Sequence, residues 1–203
     1  MIDSSVILSG TEIIGNTVVF AKSGNLRTCI NNCLTNPRQK IKLDGNFQRF
    51  TYQDFFPNSG QLAHRATIKF STPSYDATWD YNPKTDDYTR IQGKLPHLDK
   101  ESGEQLRTRV VVIQYVKSNP IPGDEKARIT INTTSGGKSL VLQGGHVYSG
   151  TWKKTETGTV FLNDLGEQQT FKRGPMWVML VPNDIERVNL IAPQTTNTEN
   201  ANE

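Results

Sequence analysis

From residue 66 to residue 188 short runs of alternating apolar and polar residues are separated by turn-forming clusters, and this rhythm predicts strands. "ATIKFS" alternates, and "ATWDYN" and "YTRIQG" flank the polar "PKTDD", which reads as a hairpin with a polar tip. "LPHLDKESGEQ" carries Pro, Gly and charges and reads as an exposed loop. "RVVVIQYV" is the most continuous apolar run, and its length and β-branching predict a strand buried on both faces. "ARITINT", "SLVLQGG" and "HVYSGTW" follow as strands, "TVFLNDLGEQQTFKRG" as a hairpin about Leu165-Gly166, and "MWVMLVP" as a closing core strand. No helix-period segment longer than a few turns interrupts this region. The expected fold is mainly β, an antiparallel β-sandwich or barrel-like domain over residues 59–190, behind a small mixed segment, 1–58.

The opening segment is less regular. "KIKLDGNFQRF" alternates on both sides of Asp44-Gly45, a two-residue hairpin signal, because both turn residues tolerate positive φ. "TYQDFF" reads as a short helix or turn before Pro57. At the other end, residues 191–203 are polar and Pro-bounded and read as a disordered tail.

A chain of 203 residues removes about 70% of its extended surface from water on folding, so it builds a core without needing metal or disulfide. Its 23 basic and 20 acidic residues are interspersed and leave a net charge of +3, which lacks the concentrated basic stripe of a nucleic-acid binder. No apolar stretch approaches the ~20 residues of a membrane-spanning helix. The first twenty residues show neither a basic start nor an unbroken apolar run, so no signal peptide is read there. The two cysteines, Cys29 and Cys33, and the scattered His64, His97 and His146 do not make a zinc set. If helical, the cysteine pair has α-carbons about 6 Å apart, compatible with free thiols or with a local disulfide. No cofactor is implied.

Motifs with chemistry are few. "TSGGKSL" lacks the first glycine of a phosphate loop and joins two strands, so it reads as a hairpin turn. No G-x-S-x-G elbow is present. His97 and Asp99 stand two apart in a loop, where they either polarise a water or help hold a cation, or else cap a turn; Arg90 just before them offers an anion-binding fork. In "GGHVYSGTWKK", extended backbone sends His146, Tyr148, Trp152 and Lys154 to one side, with Lys153 opposite. That side reads either as a platform that stacks on a sugar ring or as a core anchor, Trp152, at a strand end. Trp177, between apolar neighbours, reads as core, and Trp79 and Tyr81 share a face of their strand.

The ordered series W-x-Y, Y-x-R, H-x-D, a valine-rich strand, G-T-W-x-K and G-x-x-W-V, between residues 66 and 188, resembles the C-terminal domain of the YerB-like family of bacterial lipoproteins. The matching positions are Trp79, Tyr88, Arg90, His97, Asp99, Trp152, Lys153 and Trp177. The resemblance implies an extracytoplasmic, envelope-associated protein, often lipid-anchored, of no established activity. Two departures stand out: no lipobox cysteine follows an apolar segment, Cys29 being preceded by "NLRT", and residues 1–58 stand where the family has a larger N-terminal domain. The chain is therefore expected to be a fragment or half of a split protein.

Together these readings predict a non-catalytic envelope module that binds a wall polymer or a partner protein. The expected ligand-binding residues are Trp79, Tyr88, Arg90, His97, Asp99, Tyr148, Trp152 and Lys153, with the side bearing Trp152, Arg90 and the His97–Asp99 loop in contact. An enzyme acting on wall glycan or peptide, with His97 or Asp99 as acid or base, is the alternative. A third reading has the domain dock on a separate N-terminal domain through the same residues.

Overall fold

A computed structural model describes residues 5–8, 50–54, 60–70, 72–126, 128–183 and 185–193. The cysteine pair, the Asp44-Gly45 hairpin and residues 194–203 lie outside the described residues. Strands are numbered in chain order. The largest sheet runs β1 (Ser5–Leu8), β15 (Met176–Pro182), β9 (Val110–Pro120), β11 (Gly137–Gln143), β12 (His146–Thr155) and β13 (Gly158–Asn163), with β10 (Ile129–Asn132) paired to β9 and β3 (Gln61–Leu62) paired to β12. A second sheet runs β16 (Val188–Ile191), β4 (Arg65–Ile68), β5 (Ala77–Asn82), β6 (Asp87–Gln92) and β7 (Leu95–Pro96), with β8 (Arg107–Thr108) also on β6. A third, of two strands, pairs β2 (Thr51–Gln53) with β14 (Thr170–Lys172). The pairings are antiparallel except β9 with β15 and β2 with β14. The sheets pack as a sandwich and do not close into a barrel. Among the described residues helical structure is limited to two three-residue 3₁₀ turns, and no helix is long and apolar enough to cross a membrane.

The valine-rich strand sets the layering. Val110 to Val116 of β9 are all buried, and their alternation feeds two separate cores. Val111, Ile113 and Tyr115 face the second sheet, where they meet Ala66, Ile68, Trp79 and Tyr88 together with Trp177 and Met179 of β15. Val110, Val112 and Val116 face the other way, toward Val141, Trp152, Phe161, Phe171 and Met176, with Phe50 and Tyr52 packed over them. The strand expected to be covered on both faces is so covered, because the short third sheet caps the face the second sheet leaves.

Three expectations change. "TYQDFF" begins as a strand, β2, since Thr51–Gln53 find a ladder partner in β14. The turn about Leu165-Gly166 is present, with Asn163 N–H donating to Glu167 O, but β14 then leaves β13 to pair with β2 in parallel. Residues 188–190, assigned no element in the sequence, and Ile191, read there as the start of the disordered tail, form β16 at the edge of the second sheet, because β4 gives them a ladder partner.

Candidate functional site

The structure separates residues that the sequence placed on one surface. Trp152 is 2% exposed in the core between the largest sheet and the third, beside Phe161 on the neighbouring strand and with Phe171 of β14, and its indole N–H donates to Tyr115 O at 2.7 Å. Gly137, opposite it in register, makes room: a β-carbon there would stand 2.7 Å from Tyr115 O and 3.0 Å from the indole nitrogen. Arg90 is 1% exposed in the other core, across the largest sheet, where its guanidinium lies 4.8 Å from the Trp177 ring centre and 5.9 Å from that of Trp79. Trp152 and Arg90 therefore line no common groove. The expectation of one surface bearing both is corrected, and the physical reason is that each face of the central sheet is covered by its own layer.

What the structure does bring together is the set Trp79, Arg90, His97 and Trp177. The two indoles meet edge to face at 5.2 Å, Trp79 Nε1 points at Met179 Sδ at 3.1 Å, and Arg90 donates to Gln92 Oε1 at 3.1 Å and contacts His97 Nδ1. A guanidinium carries donors only, so in this contact the ring nitrogen is the acceptor. Cation–π contact offsets part of the cost of removing the charge from water. Asp99 caps a turn: its Oδ1 accepts the N–H groups of Glu101 and Ser102 at 3.0 and 2.9 Å and the Ser102 hydroxyl at 3.1 Å. Of the remaining expected residues, Tyr148 is half-buried against the Trp152 core and Lys153 is exposed.

A second convergence has polar chemistry at partly open surface. Asp86, on the tip between β5 and β6, is the one non-glycine with a left-handed backbone among the described residues, φ 55°. Its carboxylate accepts the Tyr81 hydroxyl at 2.9 Å and Arg109 at 2.9 Å, and pairs with Lys172 Nζ. Behind it Tyr88 is buried, its hydroxyl accepting Gly145 N–H at 3.1 Å, and His64 meets the Tyr81 ring at 5.3 Å. Gly145, at φ 74°, lies so close that a β-carbon would stand 2.7 Å from the Tyr81 ring and 3.1 Å from His64 Nε2. Burial and then the hydrogen bond to Asp86 push the Tyr81 phenol up to about 12, and burial raises Tyr88. Burial pulls the Asp86 carboxyl upward, but hydrogen bonds from Lys172 and Tyr81 and the charges of Lys172 and Arg109 outweigh it and hold the carboxyl below the usual aspartate range. Of this set the sequence singled out Tyr88 as a ligand residue; Asp86, Arg109 and Lys172 look like ordinary solvated charges, because they come from three distant segments. Among the described residues no group of three or more His, Cys, Asp and Glu is placed to hold a metal.

Since the folded carboxyl ionises below the unfolded range, its stabilising effect is present above that range and is lost as pH falls through the folded value. Unfolding by denaturant at a series of pH values is expected to show the gap between wild type and Asp86→Asn shrinking from about pH 5 to about pH 2. Solvent screening keeps that gap to about 1 kcal/mol or less. A gap constant over the whole range would remove the ion cluster as its origin. Asparagine is the suitable replacement because it tolerates the left-handed backbone.

The family model described as "Protein of unknown function (DUF3048) C-terminal domain" matches residues 66–178, more than half of the chain. The chain is 27% identical over 143 residues to the protein named "Putative lipoprotein YerB" of Bacillus subtilis, covering 70% of this chain and 42% of that one. It superposes on the crystal structure of YerB protein from Bacillus subtilis with a TM-score of 0.62 at 21% identity, covering 85% of this chain and 57% of that one. The chain thus spans less than half the length of the former and under two thirds of the latter. The structural likeness concerns the fold.

Proposed function

The chain belongs to the DUF3048 C-terminal domain family, and from that membership we propose that it is a non-catalytic binding module of the bacterial cell envelope, engaging an anionic wall polymer where Arg109 and Lys172 flank Asp86. Similarity to a protein named as a lipoprotein supports the envelope. The observation that carries the reading is the charge imbalance at this one place: Arg107 is matched by Asp87 at 3.5 Å, whereas the single carboxylate of Asp86 faces two cations. The surplus positive charge is held in fixed geometry and reaches solvent, Lys172 being 19% and Arg109 40% exposed at the side chain. Preset donors of this kind bind an anion without the entropy cost of ordering long side chains.

Binding rather than turnover is supported by how the acid–base candidates are used. The Asp99 carboxylate caps its turn, His97 faces Arg90, and Tyr81 holds its proton and donates it to Asp86. The test is co-sedimentation with purified peptidoglycan and with purified phosphate-bearing wall polymer, beside thermal unfolding. The double substitution Arg109→Gln and Lys172→Gln is expected to keep the fold and lower retention about tenfold, the loss of roughly one charge-assisted contact. Unchanged retention in both arms would overturn the proposal, as would polymer cleavage abolished by His97→Ala.

A further inference from the structure

We infer that Tyr81, Arg109 and Lys172 form a cradle for an oxyanion, a phosphate or carboxylate group of the ligand, and that Asp86 fills this cradle in the free protein and gives way when the ligand binds. The inference rests on the reading of Arg109 and Lys172 as anion-binding residues, and it adds which atoms the ligand must bring. Asp86 sits as a two-oxygen anion would: Oδ1 accepts the Tyr81 hydroxyl at 2.9 Å, while Oδ2 accepts Arg109 Nη1 at 2.9 Å and pairs with Lys172 Nζ. Three donors thus converge on one oxyanion. A carboxylate or phosphate in the same orientation makes the same charge-assisted contacts.

The donors are positioned from behind, not by Asp86. The Arg109 stem lies against Gly174, where a β-carbon would overlap its Cγ and stand 3.0 Å from its Cβ. The Tyr81 ring is held by Gly145, by the Tyr88 ring at 5.1 Å and by His64. Lys172 is fixed at its backbone: its N–H donates to Gln143 Oε1 at 3.0 Å, and Gln143 Nε2 donates to Thr170 O at 3.2 Å. Gln143 is itself buried. The Lys172 amine stands over the Gly144 turn, 3.6 Å from where a β-carbon would be. Asp86, by contrast, belongs to the hairpin tip, next to the exposed Pro83, Lys84 and Thr85, and its side chain is 29% exposed. Its carboxylate therefore reaches water by a change of rotamer that disturbs no strand. What it leaves behind is two cations and a hydroxyl already aimed at one point, an arrangement that takes up an external anion with little reordering.

The exchange predicts that removing this carboxylate strengthens anion binding even though it weakens the fold, a pair of opposite signs that a merely structural Asp86 does not give. Asp86→Gly empties the cradle and suits the left-handed backbone. Titration of the ¹⁵N-labelled chain with inorganic phosphate and with acetate, against sodium chloride at equal ionic strength, separates the two kinds of oxyanion from general screening. The amides of Gly144, Gly145 and Lys172 are expected to shift with one or both oxyanions, with a Kd about tenfold lower in Asp86→Gly than in wild type, the size of one charge-assisted contact. Asp86→Asn keeps the turn and still fills the place, so it is expected to show the gain in smaller measure. Adding Arg109→Gln to Asp86→Gly is expected to cancel it. Wild-type or weaker affinity in both Asp86 variants, equal shifts with chloride, or a gain that survives Arg109→Gln would each overturn the exchange. Because the probes are small ions, the two readings fail separately: a gain without polymer retention supports the cradle and strikes the polymer, whereas retention without a gain strikes the exchange alone.

Discussion

Trp152→Ala is expected to lower the unfolding free energy by about 3–5 kcal/mol, one of the two largest single effects in the molecule. The indole fills the space between Val112, Val116, Phe161 and Phe171, and its removal leaves both a cavity and Tyr115 O without its 2.7 Å donor. Trp152→Phe keeps most of the volume and gives up the hydrogen bond, so a smaller loss is expected, about 1–2 kcal/mol. Denaturant unfolding of the three proteins checks the order. The sequence also allowed Trp152 to be a stacking platform, and the same experiment decides between the two roles. A stable Trp152→Ala protein that no longer sediments with peptidoglycan would return the residue to the surface.

Arg90→Ala is expected to cost about 2–5 kcal/mol through the space it vacates between Trp79 and Trp177. Arg90→Met is expected to be clearly milder. It keeps the volume of the stem and removes a charge that had to be taken from water, a replacement that buried ion clusters often tolerate. Arg90→Lys retains the charge without the flat guanidinium that lies against the indoles, so it is expected to fall below Arg90→Met. Unfolding midpoints, with near-ultraviolet circular dichroism reporting the packing of the tryptophans, give the ranking. If Arg90→Ala were as stable as wild type, the guanidinium would have no structural role and an anion-binding one would be the reading to pursue.

Several features were legible in the chain because they depend on local pattern. β5 and β6 and the polar tip between them follow from "ATWDYN", "PKTDD" and "YTRIQG", and β9 from an apolar run too continuous for a half-exposed strand. The series of family motifs was legible as well, and its members Trp79, Arg90, His97 and Trp177 meet in one place. Their meaning was not. An arginine two residues after a tyrosine reads as a fork toward an anion, yet here its fork is directed at indoles, an amide and an imidazole. Asp86, Arg109 and Lys172 carry no local signal, since no spacing links a hairpin tip to residues that far along the chain.

By itself, then, the sequence determined the strand period, the mainly β class, the doubly covered valine strand and the family, and left sandwich and barrel both open. Only the tertiary structure decided which strand faces are interior. On β12, alternation separates Val147 from Tyr148 and Trp152, but it cannot say that both sides are roofed, one by the second sheet and one by β2 and β14. The reason is that a two-residue period fixes direction relative to the sheet alone. Burial is fixed by the layers that distant segments lay upon it, and so are the ionic contacts of Asp86.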